Sequence, residues 1–151
     1  MKNKFTSRIP WTEKLNKPQE PRIVKIPPKM KQFGQGTMLI PTPKLVENIV
    51  CKIRMGKLMT VGDIRRKLAK DFSADVTCPL TTGIFLRIVA EAAEENRLAS
   101  HKRLAPYWRV IKEDGTLNPK FPGGEEQQAR RLRNEGFVIQ RRGKRWFVDS
   151  F

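Results

Sequence analysis

The sequence predicts a mainly α-helical domain that carries a small β-hairpin near its C-terminus. Three stretches place apolar residues at helical spacing behind a capping residue, and the last stretch alternates apolar and polar residues around a glycine. A chain of 151 residues has room for one ordinary domain. We therefore expect a domain over residues 41–151, behind an N-terminal arm over residues 1–40.

The predicted arm, residues 1–40, is rich in proline and lysine and has no regular apolar period. Because proline fixes φ and removes a backbone donor, its prolines should interrupt any helix. We predict an extended basic arm, with Trp11 and Ile40 as anchors on the domain. Two interpretations of its charge stay open: a phosphate-binding tail and a solubilising tail.

Two helices are predicted from their caps. The first begins behind Thr42, an N-cap residue that is followed by proline at the first helical position. The second begins behind Thr60, with Asp63 three positions later as in a capping box, and runs to about Lys70. Both predictions depend on hydrogen bonds between near neighbours in the chain.

A third helix is predicted with Thr81 or Thr82 as its cap. Six residues form its predicted apolar stripe: Ile84, Phe85, Ile88, Val89, Ala92 and Ala93. The second and third helices, joined by a turn over residues 71–75, form a helix-turn-helix candidate. Spacing of this kind occurs in many all-helical domains, and only some of them place the second helix in a DNA groove.

The C-terminal third completes the pattern. Residues 107–111 are predicted as a short buried segment, and residues 124–134 as a basic helix closed by Gly136. Residues 137–148 form two alternating runs around a cationic turn that contains glycine, which indicates a hairpin. Beside a helix-turn-helix such a hairpin is a wing, and wings commonly lie along phosphates.

The charge of the chain favours a polyanionic partner. It has 31 Lys and Arg against 15 Asp and Glu, a formal net charge of +16. Such an excess costs self-repulsion unless a polyanion relieves it, so we expect nucleic acid, and duplex DNA first. RNA stays open as a partner, and a basic solubility surface or a ribosome-associated role is the remaining interpretation.

Several other classes of protein are not indicated. The longest apolar run is too short to cross a bilayer, and the first residues lack the apolar core of a signal peptide, so we expect a cytoplasmic protein without membrane contact. Two cysteines, Cys51 and Cys78, and a single histidine, His101, are too few for a zinc site of Cys and His. We expect no metal and no cofactor.

One motif adds a specific resemblance. Pro106-Tyr107-Trp108-Arg109-Val110 is followed by Asp114-Gly115, by Pro122-Gly123-Gly124 and by Leu132-Arg133-Asn134-Glu135-Gly136. This frame, over residues 42–136, resembles the DNA-binding and active-site domain of the alkylguanine-DNA alkyltransferases. It is most similar to their small, catalytically dead bacterial relatives, the alkyltransferase-like proteins. The resemblance implies the winged helix-turn-helix-like fold of the alkyltransferase C-terminal domain.

The resemblance also implies that the chemistry is missing. The family motif is Pro-Cys-His-Arg-Val, and Tyr107 and Trp108 stand where it has Cys and His. A phenol starts near pKa ~10, against ~8.5 for a thiol, and an indole N–H can only donate. We therefore expect no enzyme, and a degenerate active-site pocket at Tyr107, Trp108, Arg109 and Glu135. Whether the two aromatic rings stack on a flipped base or fill the core stays open.

The resemblance singles out residues for DNA binding as well. Arg87-Ile88-Val89 matches the family's Arg-Ala-Val, so Arg87 is the candidate arginine finger, with a surface pair to Glu91 as the alternative. Val61 stands where the family has the tyrosine that rotates the base, which leaves base flipping open. The complete set of expected DNA-binding residues is Thr81, Thr82, Arg87, Arg130, Arg131, Arg141, Arg142, Lys144 and Arg145.

The leading hypothesis is a non-catalytic, alkyltransferase-like DNA-binding protein, with recognition of alkylated DNA in repair as the finer hypothesis. Three rivals stay open. A protein-interaction module that kept the fold is favoured by the acidic stretch Glu91, Glu94 and Glu95 on the third helix. The second rival is an RNA-binding basic protein, and the third is a transferase that uses Cys78. The sequence identifies no protein partner in repair.

Overall fold

The computed structural model describes residues 9–99 and 104–149. Residues 1–8 of the predicted arm, and His101, lie outside the described residues. The helices are α1 (Trp11–Asn16), α2 (Pro43–Val50), α3 (Val61–Asp71), α4 (Pro79–Leu98) and α5 (Gly124–Asn134). The strands are β1 (Arg22–Lys25), β2 (Thr37–Ile40), β3 (Met59–Thr60), β4 (Val76–Thr77), β5 (Val110–Ile111), β6 (Ile139–Arg142) and β7 (Arg145–Val148). The mainly helical fold class with a small hairpin is confirmed.

The predicted caps of the first two helices are confirmed. At α2, the Thr42 hydroxyl accepts a hydrogen bond from the backbone N–H of Leu45 at 3.3 Å. At α3, the capping box is complete, because Thr60 Oγ1 accepts from the Asp63 N–H at 3.0 Å and the Asp63 carboxylate accepts from the Thr60 N–H at 2.9 Å. These bonds satisfy backbone donors that the first turn of a helix leaves free.

The start of α4 differs from the expectation. The helix begins at Pro79 behind Cys78, so Thr81 and Thr82 lie in its first turn and neither is the cap. Proline is well placed at the first helical position because its missing N–H would have no partner there. The Thr82 hydroxyl donates to the Cys78 carbonyl at 2.7 Å. The helix therefore gains a turn relative to the sequence prediction.

The N-terminal segment is not extended over its described part, residues 9–40. Helix α1 packs against α4, with Leu15 only 3% exposed in the main core. Strands β1 and β2 pair antiparallel, and β2 pairs with β4 in parallel. The expectation of an extended arm is wrong here because the prolines fall at the limits of elements, with Pro10 before α1 and Pro21 before β1.

Two hydrophobic clusters form the body of the domain. The larger one lies among α2, α3 and α4 and includes the buried Tyr107. The smaller one lies between α5 and the hairpin of β6 and β7, around Leu132. Trp108 packs against both clusters. The motif at residues 106–110 therefore joins the helical core to the hairpin.

The hairpin follows the predicted pattern. Arg142 pairs with Arg145 across a two-residue turn, and Gly143 in that turn has φ +63°. A positive φ at this position is typical of the tight turns that match the twist of a hairpin, and glycine adopts it without strain. The predicted hairpin with a cationic tip is confirmed. No helix in the described ranges is long and apolar enough to cross a membrane.

Candidate nucleic-acid interface

The four residues of the predicted degenerate pocket lie together. Trp108 Nε1 donates to Glu135 Oε2 at 2.8 Å. Arg109 grips the same carboxylate with two bonds of 2.9 Å and donates a third, of 2.7 Å, to the Ile53 carbonyl. The side chains of Arg109 and Glu135 are 12% and 8% exposed, so this ion pair is nearly buried. Glu135 therefore holds the Trp108 ring and the Arg109 guanidinium in place.

A second polar cluster surrounds Tyr107, which is 1% exposed. Its hydroxyl donates to Glu94 at 2.8 Å, and Arg131 donates to the same oxygen at 2.8 Å. The Arg131 guanidinium lies 4.4 Å from the centre of the Trp108 ring. Its side chain is 16% exposed. Arg131 therefore stabilises the interior, and these contacts do not favour the phosphate contact expected of it.

Neither the phenol of Tyr107 nor the thiol of Cys51 is activated as a nucleophile. Burial and the hydrogen bond to Glu94 raise the pKa of Tyr107 far above its ordinary value of about 10. Partial desolvation and the nearby Glu47 carboxylate raise the pKa of Cys51, although that residue is exposed. Cys78 is buried. A thiolate is the reactive form of cysteine, so the surroundings of Cys51 disfavour its reactive form.

A groove of about 680 Å³ opens beside the pocket residues. Its lining includes Cys51, Asn96, Pro106, Trp108 and Arg109. Trp108 is half-buried and reaches the groove, whereas Tyr107 is enclosed between edge-on contacts with Trp108 and with Phe121. Of the two aromatic residues in the motif, Tyr107 fills the core and only Trp108 presents a surface to the groove.

The N-terminal half of α4 exposes a face that sequence reasoning assigned in part to the core. Leu80 is 64% exposed and Ile84 is 58% exposed. Arg87, half exposed, follows one turn later on the same face. Ile84 therefore does not belong to the core stripe, and Leu80 was missed. The spacing of positions 80, 84 and 87 was the signal that could have found this face.

Thr82 lies on the opposite side of α4. Its side chain is fully buried and bonds to the Cys78 carbonyl. Thr82 therefore cannot contact a DNA groove, and the expectation for it is wrong. Thr81 is partly exposed in the same turn, and its hydroxyl also lies within 3.5 Å of the Cys78 carbonyl.

Arg87 is held by two neighbours. Its Nε lies 3.6 Å from a Glu91 oxygen, which is the one-turn pair weighed from the sequence. Its guanidinium carbon lies 5.6 Å from the centre of the Trp11 ring of α1. The contact with Trp11 joins residues 76 positions apart and could not be expected from local spacing. Exposed pairs of this kind contribute little stability, so Arg87 can change partners at low cost.

The two faces of the hairpin point to different surroundings. Arg141 and Trp146 oppose each other on one face, and Arg142 and Arg145 oppose each other on the other. Arg145 pairs with Asp114. Because side chains alternate along a strand, the cations expected to meet phosphates do not all share one surface.

Lys144 and Arg145 lie at the part of the hairpin that is nearer to the exposed face of α4. They line a groove together with Lys112 and Pro119. Lys112 and Pro119 also line the groove in front of α4 that contains Arg87. The two grooves therefore adjoin, and a cationic surface formed by Arg87, Lys112, Lys144 and Arg145 runs from the exposed face of α4 to the tip of the hairpin, where the carboxylates of Asp114 and Glu125 also line the groove.

The remaining predicted cations form a separate surface. Arg130 and Arg133 line a groove with Trp146 on the side of α5. Arg141 and Arg133 lie with their guanidinium carbons 5.2 and 5.7 Å from the centre of the Trp146 ring. This groove shares no lining residue with the α4 groove. Arg130 and Arg141 are therefore exposed cations, but they do not extend the α4 surface.

The buried carboxylates make the domain sensitive to acid. Burial alone would raise the pKa values of Glu94 and Glu135, but hydrogen bonds from Arg97 and Tyr107, and from Arg109 and Trp108, hold both below the ordinary range. The stability that these two carboxylates contribute is fully present above their unfolded-state pKa, about 4.3. It is lost as the pH falls through their lower pKa values in the folded protein.

We expect the free energy of unfolding, measured with denaturant at decreasing pH, to fall steeply below about pH 4.3. Glu94→Gln should lower stability at neutral pH and flatten this fall, because the variant has one fewer carboxylate to protonate. Glu126→Gln, at an exposed position of α5, is the matched control and should follow the parent curve. If the free energy of unfolding of Glu94→Gln fell with pH as steeply as that of the parent protein, the prediction would be contradicted.

The paired helices α3 and α4, followed by the hairpin, define a winged helix-turn-helix domain of the alkyltransferase type. The chain belongs to the family described as the DNA binding domain of 6-O-methylguanine DNA methyltransferase, whose model matches residues 41–137. This confirms the resemblance drawn from the motif at residues 106–110.

Two solved structures are similar to the chain, and both come from S. pombe. One is ATL in complex with DNA, 24% identical with a TM-score of 0.49, covering 70% of this chain and 85% of that one. The other is Atl1 in complex with damaged DNA containing O6-carboxymethylguanine, 23% identical with a TM-score of 0.48, covering 71% and 87%. No match was found among curated proteins.

Proposed function

We propose that this protein is a non-catalytic, alkyltransferase-like protein that binds duplex DNA through α4 and the hairpin. Residues 41–151 are the proposed DNA-binding unit, and residues 1–40 are an addition to it. The observation that carries the proposal is the cationic surface from Arg87 through Lys112 to Lys144 and Arg145. A row of cations beside an exposed helix face suits a phosphate backbone, and membership of a DNA-binding family supports the same conclusion.

The absence of transfer chemistry is proposed from the motif residues. Tyr107 is buried with a raised pKa, so it stays a neutral phenol at physiological pH. Trp108 commits its only polar hydrogen to Glu135 and has no acceptor. Neither can replace a thiolate and its base. A mass increment on the protein after incubation with an O6-alkylguanine oligonucleotide would contradict this part of the proposal.

Recognition of an alkylated base is the finer part of the proposal. The groove beside Trp108 offers an indole surface, the Asn96 amide and the Arg109 side chain to a base displaced from the duplex. Base stacking on an aromatic ring contributes ~1–3 kcal/mol, which is comparable to the cost of extruding one base. Val61 has no aromatic ring with which to rotate a base out of the duplex, so base flipping would depend on this groove and on Arg87.

The test is an anisotropy titration of a labelled duplex, with and without one O6-alkylguanine, at several salt concentrations. Tighter binding of the modified duplex supports both parts of the proposal. Equal, strongly salt-dependent binding supports backbone binding and overturns lesion recognition. No binding at low salt overturns the proposed function, and an RNA duplex bound in preference would redirect it to RNA.

The hairpin tip should contribute to the salt dependence of this binding. We expect Arg142→Ala with Lys144→Ala to reduce the slope of log affinity against log salt by about 2, since each lost phosphate contact removes about 1. The matched control, Lys25→Ala with Lys31→Ala, removes the same charge beside a different groove near β1. An equal loss of slope in both double variants would argue against a specific role for the hairpin.

The acidic stretch on α4 gives little support to a protein-interaction module. Glu91 pairs with Arg87, and Glu94 accepts from Tyr107, Arg97 and Arg131. Glu95 accepts from two backbone N–H groups of α1. Carboxylates with these partners serve the fold itself, so the charge that favoured a protein partner is already used within the chain.

A further inference from the structure

The groove in front of α4 has a volume of about 790 Å³ and a largely apolar lining. Leu80 and Ile84 form one side of it. Trp11, from α1, is the one aromatic residue that lines it in the described part of the chain. The groove therefore lies between the family domain and a helix that precedes residue 41, where the family match begins.

Cations surround this groove. Lys14, Arg87, Lys112 and Lys120 all line it, and no described carboxylate does. Clustering four cations around an apolar surface costs free energy in the unbound protein through their mutual repulsion. A ligand that offers both a flat apolar face and negative charge would relieve that repulsion and cover the exposed apolar side chains at once.

Trp11 is held in position by the contacts that α1 makes with α4 and with the core. The backbone N–H groups of Trp11 and Thr12 donate to the two oxygens of Glu95, both at 2.9 Å. Leu15 is buried in the main core. The Trp11 ring itself is half-buried. Lys14 Nζ lies 4.3 Å from the ring centre, and the guanidinium carbon of Arg87 lies 5.6 Å from it. The indole is therefore held in place with two cations close to its ring.

We infer that this groove binds an unpaired base of DNA, stacked on Trp11, with the phosphates of that strand at Lys14, Lys112 and Lys120. An indole flanked by cations is the chemistry that recognises a nucleotide, because every base has an aromatic face next to a phosphate. The inference rests on the proposed function, since the strand arrives as part of the DNA docked on α4. It adds a contact made by residues outside the family domain.

Anisotropy titrations of two labelled duplexes test it. One duplex is fully paired, and the other carries a single unpaired thymine. Trp11→Ala should weaken binding of the second duplex by roughly 5- to 150-fold, the equivalent of one stacked base, and leave the first nearly unchanged. Trp11→Phe should retain most of the affinity. Phe33→Ala, an exposed aromatic residue in the same segment but outside the groove, is the matched control.

A fluorescence measurement keeps the inference testable if Trp11→Ala disturbs α1. The emission of Trp11 is the difference between the parent and Trp11→Phe, and saturation with the unpaired duplex should quench it. Unchanged Trp11 emission at saturation, or a folded Trp11→Ala that binds both duplexes like the parent, would overturn the inference. So would quenching by an acidic helical peptide and not by DNA. Failure of the parent to bind the fully paired duplex is a different result, because it overturns the proposed function.

Discussion

Replacing Arg109 with methionine should destabilise the protein by about 3–5 kcal/mol, the cost of leaving one member of a buried ion pair without its partner. Arg109 makes two bonds to Glu135 and one to the Ile53 carbonyl, and both side chains of the pair are nearly buried. Small domains have a total stability of only ~5–15 kcal/mol. The variant should therefore unfold at a much lower denaturant concentration, measured by circular dichroism.

The double variant Arg109→Met with Glu135→Leu separates the two parts of this cost. Removing both charges leaves no buried carboxylate unpaired, so the double variant should be more stable than Arg109→Met alone. Trp108 would keep its acceptor in Arg109→Met and lose it only in the double variant, because Glu135 is its hydrogen-bond partner in the parent. A loss below about 1 kcal/mol for Arg109→Met would show that the pair is solvated in solution.

Reversing the charge of Arg87 should weaken DNA binding by about 10- to 100-fold, or ~1.4–2.8 kcal/mol, which is the second large effect. Arg87→Glu removes a cation from the exposed face of α4 and places a carboxylate one turn from Glu91. The new carboxylate would repel both Glu91 and the phosphates. The measurement is duplex anisotropy at fixed salt, together with thermal unfolding to show that the fold is retained.

Two control variants show whether the effect of Arg87→Glu comes from net charge or from a directed contact. Lys25→Glu makes the same change in net charge at β1, beside a groove that shares no lining residue with the α4 groove. Arg87→Lys keeps the charge and loses the planar guanidinium. If Lys25→Glu weakens binding as much as Arg87→Glu, the effect is one of net charge and Arg87 has only its surface pair. If Arg87→Lys also weakens binding, the guanidinium makes a directed contact.

Features decided by near neighbours were predictable. The Thr42 cap and the capping box of Thr60 and Asp63 depend on bonds across three positions, so the sequence alone determined where α2 and α3 begin. The turn at Gly143 followed from its place between two alternating runs. The replacement of the family's Cys and His is likewise a property of two adjacent residues, which is why the absence of transfer chemistry could be proposed from the sequence alone.

Features that depend on contacts between residues far apart in the chain could not be predicted from the sequence. Arg131 was expected at phosphates, but it pairs with Glu94, 37 positions away, and stacks on Trp108. Helical spacing places residues on a helix but does not say which face the rest of the chain covers, so Ile84 and Thr82 were assigned to the wrong sides of α4.

The N-terminal segment shows the same limit most clearly. Its composition is that of an extended tail, yet Leu15 enters the core and Glu95 of α4 accepts the first N–H groups of α1. The sequence by itself determined the local elements, the replacement of two residues in the family motif and the excess of positive charge. Only the tertiary structure decided which cations form ion pairs in the interior, as Arg131 does, and that the Trp11 ring lies next to Arg87. Both depend on contacts between residues far apart in the chain.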